Sequence, residues 1–157
     1  MTAVADSDRR AMREALAEAR AALATADVPV GAIVLDESGT VIGRGRNERE
    51  KLHDPTAHAE VVALRAAARA RGDWQLTGCT LVVTLEPCVL CAGAILAARI
   101  DRVVFGAWDD KAGAAGSVVD LLRERRLPFR VAEVVGGVDD VECAALLREF
   151  FEQQRRL

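Results

Sequence analysis

At 157 residues the chain is long enough for one domain with a substantial core, and 51% hydrophobic with 29% charged residues is a globular composition, not a disordered one. No apolar run approaches the roughly 20 residues of a membrane span. The polar start MTAVADSDRR does not resemble a signal peptide, so a cytoplasmic protein is expected. A net charge of −3 argues against the basic surface usual in nucleic-acid binders, although Arg44, Arg46, Arg49 and Lys51 cluster in one segment and Arg123, Arg125 and Arg126 in another.

Residues 7–23 predict an amphipathic helix, with Met12, Ala15, Leu16, Ala19 and Leu23 at helical spacing and Asp6 or Ser7 as N-cap. Asp27 and Pro29 break it. Residues 30–35 and 41–45 read as two strands joined by the turn DESGT, a hairpin. A polar loop is expected over 47–55 and a helix over 57–71, closed by Gly72. A strand over 79–84, a helix over 88–97 and a strand over 102–105 follow. The Gly- and Ala-rich run 108–117 predicts a loop, then a short helical piece at 118–122, a strand at 129–134 and a final amphipathic helix at 139–154. A hairpin followed by strands alternating with helices implies a three-layer α/β/α sandwich around a mixed sheet of about five strands. No internal repeat or linker divides residues 1–157, and a single domain is expected.

The chemistry concentrates in two short stretches. In TLEPCVLCAGA, Cys88 and Cys91 stand three apart at the start of a predicted helix, after Pro87, which suits a first helical turn. Residues three apart on a helix share a face, and the positive N-terminal end of its dipole favours thiolate over thiol. By themselves the two cysteines could equally be a redox pair or half of a structural zinc site, with His53, Cys79 and Cys143 available as further ligands. The second stretch, DPTAHAE, supplies His58 and, two residues on, Glu60. One imidazole with two thiolates suits zinc, and three protein ligands leave a fourth position open, the mark of a catalytic site. Glu60 is the nearest carboxylate able to move protons there. Positions two apart within a helix diverge, so His58 and Glu60 converge only if the helix aims its first turn at the metal. Cys79 and Cys143 read as buried small hydrophobes, and His53 as a loop or pocket residue.

The pattern H-x-E followed by P-C-x-x-C is the signature of zinc deaminases acting on nucleobases. Over nearly its full length the sequence resembles the bacterial tRNA-specific adenosine deaminases, through VPVGAIV (28–34), Asn47, DPTAHAE (54–60), TLEPCVLCAGA (84–94), RIDRVVFGA (99–107), KAGAAGS (111–117) and ECAALLREFF (142–151). The resemblance implies a cytidine deaminase-like fold and one zinc ion per subunit, held by His58, Cys88 and Cys91. It also implies Glu60 as proton carrier in hydrolytic deamination of adenosine to inosine at the wobble position of a tRNA anticodon loop, an arginine tRNA being expected. Asn47 matches a position that contacts the base. Asp109 matches one near the ribose, where a carboxylate accepts from the 2′-OH. The bland alternatives are an Asx turn at Asn47 and a loop-solvating charge at Asp109. A homodimer with its active site partly at the subunit contact is implied, and no membrane association. Trp108 departs from the pattern by replacing a basic residue, as does the acidic segment 48–52. The competing expectation is a deaminase of free guanine or cytosine with the same zinc chemistry.

Overall fold

The computed structural model describes residues 4–157. Its centre is a five-stranded sheet in the order β2-β1-β3-β4-β5. The strands are β1 (Gly31–Leu35), β2 (Val41–Arg46), β3 (Thr80–Leu85), β4 (Arg102–Ala107) and β5 (Glu133–Val135). The pairs β1–β2 and β1–β3 are antiparallel, whereas β3–β4 and β4–β5 are parallel. The sheet is therefore mixed, as the element order predicts.

Five α-helices cover it: α1 (Asp6–Ala21), α2 (Arg49–Leu52), α3 (Ala59–Arg71), α4 (Val89–Ala97) and α5 (Asp140–Arg155). Alternation along the strands decides which helix packs where. Ala32, Val34, Leu81, Val83, Val103 and Phe105 point to one face and are buried with Ala59, Ala63, Leu64 and Ala67 of α3 and Ala92 and Ile95 of α4. Ile33, Val82 and Val104 point to the other, against Met12, Ala15 and Leu16 of α1 and Cys143 of α5. Helices thus lie on both faces, and the three-layer sandwich stands.

Several boundaries differ from expectation, each for a local reason. The N-cap of α1 is Ala5, with no side-chain cap from Asp6 or Ser7. The polar loop at 47–55 contains α2, whose Glu50 and Lys51 N–H groups donate to the carboxylate of Asp27 at 2.7 and 3.4 Å. Asp27 does more than break a helix: buried, and bonded also to Thr25 Oγ1 at 2.6 Å, it satisfies the otherwise unpaired N-terminal donors of another. No helix forms at 118–122. There the chain doubles back, with a bridge between Ala115 and Asp120 and Leu121 N–H donating to Ala114 at 2.9 Å, which drops Leu122 into the core. The last strand is 133–135 rather than 129–134, because β4 starts only at Arg102 and its first partner is Glu133. Phe129 instead lies under the guanidinium of Arg99, 3.3 Å from the ring centroid.

Candidate metal centre and substrate pocket

Two helix starts meet where β3 ends. His58 is the N-cap of α3, with extended backbone at φ −66° and ψ 152°. Cys88 is the N-cap of α4, also extended, and Cys91 sits in the first turn of that helix. His58 therefore lies just outside its helix, which begins at Ala59 and not at Ala57. Because it is not helical, the divergence of positions two apart does not apply, and His58 and Glu60 line the same pocket.

His58 Nδ1 faces both sulfurs, 3.6 Å from Cys88 Sγ and 3.3 Å from Cys91 Sγ. A tetrahedral zinc with Zn–N and Zn–S bonds of about 2.1 and 2.3 Å would hold N and S ligands about 3.6 Å apart. The donor set and its spacing fit zinc. Among the described residues these three form the cluster of metal-ligating side chains, with all donor atoms within 4.8 Å of one another. The alternative ligands do not join it. Cys79 is buried at the start of β3, where it accepts from Arg71 Nη1 at 2.6 Å, and Cys143 is buried on the opposite face of the sheet. His53 lies in the left-handed region beyond α2. A centre with three protein ligands and room for a fourth is what remains.

The electrostatics suit such a centre. Hydrogen bonding from Cys91, then from His58, lowers the Cys88 thiol to about 3 even against burial. The same contact and burial push Cys91 the other way. His58 is raised, chiefly by its contact with Cys88. Burial raises the Glu60 carboxyl above its ordinary value, while its own backbone N–H and the Cys91 thiol pull it back.

His58, Glu60 and Cys88 line a pocket of about 200 Å³, with Cys91 buried behind them. Its walls include Val28 and Val30, Asn47 and Arg49, and on the far side Glu86, Asp109 and Ala112. All six residues singled out from the sequence (Asn47, His58, Glu60, Cys88, Cys91 and Asp109) are thus brought to one place. At Asn47 the Asx turn forms, and Asp109 caps its own turn rather than merely solvating the loop. Asn47 Oδ1 accepts from Arg49 N–H at 3.1 Å, and Asp109 Oδ1 accepts from the N–H groups of Lys111 and Ala112 at 3.1 Å. The turn at Asn47 uses its carbonyl and leaves the side-chain NH₂ free to donate. At Asp109 the second carboxylate oxygen is free to accept.

Two acids escaped the sequence reading. Glu86 sits inside the TLEPC motif and is buried, and Asp27 is buried at the foot of α2. A charged residue next to a strand end, or at a helix break, was the available signal. Its meaning depends on partners 23 to 31 residues away. A larger depression of about 490 Å³ lies by Trp74, Arg99, Asp101 and Phe129, at the N-terminal ends of β3 and β4. It lacks a metal-ligating set, and ligand sites of parallel sheets form at the other, C-terminal, strand ends.

Comparison with known proteins agrees with this chemistry. The model of the cytidine and deoxycytidylate deaminase zinc-binding region matches residues 5–107. A tRNA-specific adenosine deaminase of Bacillus subtilis is 44% identical over 149 residues, covering 95% of this chain and 91% of that protein. A Deinococcus deserti protein named tRNA(Ile)-lysidine synthase is 52% identical over 149 residues, but the chain spans only 28% of its length. Among solved structures, one from work on A-to-I editing by tRNA:A34 deaminases at the wobble position superposes with a TM-score of 0.83 at 41% identity, covering 88% of this chain and 99% of the other. A guanine deaminase from Nitrosomonas europaea gives 0.79 at 26% identity, covering 96% and 86%.

Proposed function

The chain belongs to the cytidine and deoxycytidylate deaminase zinc-binding family, close to the bacterial tRNA-specific adenosine deaminases, and we propose that it converts adenosine to inosine at wobble position 34 of a tRNA anticodon loop. An arginine tRNA is the substrate to test first. The observation that carries the proposal is that His58 and Cys88, which cluster with the buried Cys91, line one small pocket together with Glu60, Asn47 and Asp109. At about 200 Å³ it is below the several hundred Å³ of a site for a larger ligand and suits a single base turned out of a loop.

Zinc held by His58, Cys88 and Cys91 supplies Lewis acidity that makes water nucleophilic at neutral pH. Glu60 accepts one proton from the attacking water and gives it to ring N1 as C6 is attacked, then takes the proton of the new C6 hydroxyl and gives it to the departing amine, so that adenosine and water become inosine and ammonia. Asn47 donates from its NH₂ to an acceptor on the purine, and Asp109 accepts from the ribose 2′-OH. Arg49 stands at the mouth as a cation for the phosphate backbone, and Lys111 lies in the adjoining turn.

Association of two copies, which the family resemblance implies, is part of the same proposal. No helix among the described residues is long and apolar enough to cross a membrane. Likeness to a guanine deaminase keeps a free-base substrate as the second reading; the higher identity to the tRNA enzymes favours RNA. Glu60→Gln tests the chemistry. Zinc should stay near one per chain while inosine formation disappears; turnover by the variant would remove Glu60 from its role.

A further inference from the structure

Glu86 has no part in the chemistry above, yet it is buried two residues before Cys88 and its carboxylate is fully engaged. Its backbone N–H donates to Ala107 at 2.8 Å, fixing it between the ends of β3 and β4. Every side-chain partner comes from the turn at 109–117. Oε1 accepts from the Asp109 N–H at 3.1 Å and from the Ser117 hydroxyl. Oε2 accepts from the N–H groups of Ala115 and Ser117, each at 3.0 Å. Next to it, Pro87 accepts from Ala114 N–H at 2.7 Å. Gly113 closes over the carboxylate so tightly that an added Cβ would lie 2.5 Å from Oε1. No Arg, Lys or His pairs with this acid among the described ion pairs; oriented backbone dipoles and one hydroxyl neutralise it.

One carboxylate that collects four donors from a single turn holds that turn at three residues at once, and it does so from the segment that carries a metal ligand. We propose that Glu86 is a positioning residue: it docks the turn at 109–117 onto the metal-bearing segment, so that Asp109 and Ala112 stand as the pocket wall at a set distance from Cys88. The proposal rests on the reading of this pocket as the substrate site. A turn rich in Gly and Ala has few side chains of its own to pack, and its order then depends on the anchor. When only a fraction of molecules holds the wall in place, apparent affinity falls by that fraction while turnover of the bound substrate changes little.

The test is Glu86→Gln in the zinc-loaded protein, which keeps the size of the side chain but sets an NH₂ against N–H donors. Hydrogen exchange should accelerate at least about tenfold at the amides of Asp109, Ala115 and Ser117, the scale set by losing bonds to a charged group. Exchange in α1 and α5, and zinc at one per chain, should not change. KM for an anticodon stem-loop should rise about tenfold with kcat altered less than about threefold. Gly113→Ala pushes the turn off the same carboxylate without touching its charge and should reproduce the pattern, the two changes together doing little more than the larger alone. If Glu86→Gln does not fold, Gly113→Ala and Ser117→Ala carry the test. Unchanged exchange at 109–117, faster exchange throughout, loss of zinc, or faster exchange with unaltered KM would each overturn the proposal. Should the wild-type chain leave the stem-loop untouched, the substrate reading fails while the exchange result still judges the anchor.

Discussion

Helix α3 lies directly on the main chain of β2, and the contact is made possible by Gly43 and Gly45. A Cβ at Gly45 would stand 2.5 Å from the nitrogen of Ala63 and closer still to the carbonyl oxygen of Ala59. Ordinary non-bonded separations are about 3.5 Å, so Gly45→Ala must push the start of α3 away by about 1 Å. Ala59 stands between His58 and Glu60, and the displacement reaches the proposed metal ligand and the proposed proton carrier directly. Overpacking should cost about 1–3 kcal/mol of stability. A misplacement of about 1 Å in a catalytic group should lower kcat/KM by about a hundredfold. Gly31→Ala is the control. Its Cβ would meet Glu18 Cβ at 2.9 Å and the Ala15 and Ala19 backbone more closely, on α1 across the sheet from the pocket. It should lose comparable stability and keep activity within about twofold per folded, zinc-loaded molecule. Urea denaturation, zinc content and deamination on the same preparations give the comparison. Equal activity loss in the two variants, or full activity in Gly45→Ala, would refute the coupling of β2 to the site through α3.

Three further outcomes follow from other contacts. Asp27→Ala frees the N–H groups of Glu50 and Lys51 and with them the wall bearing Asn47 and Arg49, so KM for the stem-loop should rise about tenfold, the cost of losing hydrogen bonds to a charged acceptor, while zinc content holds. Arg102 grips Asp8 at 2.8 and 2.7 Å and Glu133 at 2.8 Å, tying α1 to β4 and β5. Asp8→Asn should lower stability by about 1–3 kcal/mol, below the full penalty of a buried pair because Arg102 keeps about a quarter of its side chain in water, and should leave activity per folded molecule unaltered. Burial pushes the Cys143 thiol up to about 12 and raises Cys79. In the folded protein at pH 8 both should resist iodoacetamide, whereas Cys88, half-buried at the pocket wall, should be alkylated once a chelator removes zinc; mass mapping of the labelled peptides reads this out.

Much of this architecture is written locally. The periodicities of α1, α3 and α5, the apolar runs of β1 and β3 and the Pro87–Cys88 start of α4 depend on near neighbours, and their residues announce them. The ligand triad was legible because zinc chemistry restricts both residue type and spacing. What escaped notice depended on distant partners. Asp27 reads as a helix breaker until Glu50 and Lys51 fold down onto it, and Glu86 is one acid in an apolar motif until the turn at 109–117 closes around it. Residues 118–122 (Val-Val-Asp-Leu-Leu) have little helix propensity of their own, and tertiary contacts decide their course: Leu122 reaches the core only if the chain doubles back. The convergence of His58 and Glu60 hinged on a single residue, since a helix beginning at Ala59 instead of Ala57 leaves the imidazole free to turn toward the cysteines.

The most direct test of the central claim is inosine formation on an arginine tRNA transcript with adenosine at position 34, read by reverse transcription as A-to-G change, beside ammonia release from free guanine, cytosine and adenine. The account predicts inosine at that one adenosine, dependent on zinc, with little ammonia from any free base. Ammonia from guanine or cytosine with the tRNA untouched would contradict it and assign the same metal centre to a free-base deaminase.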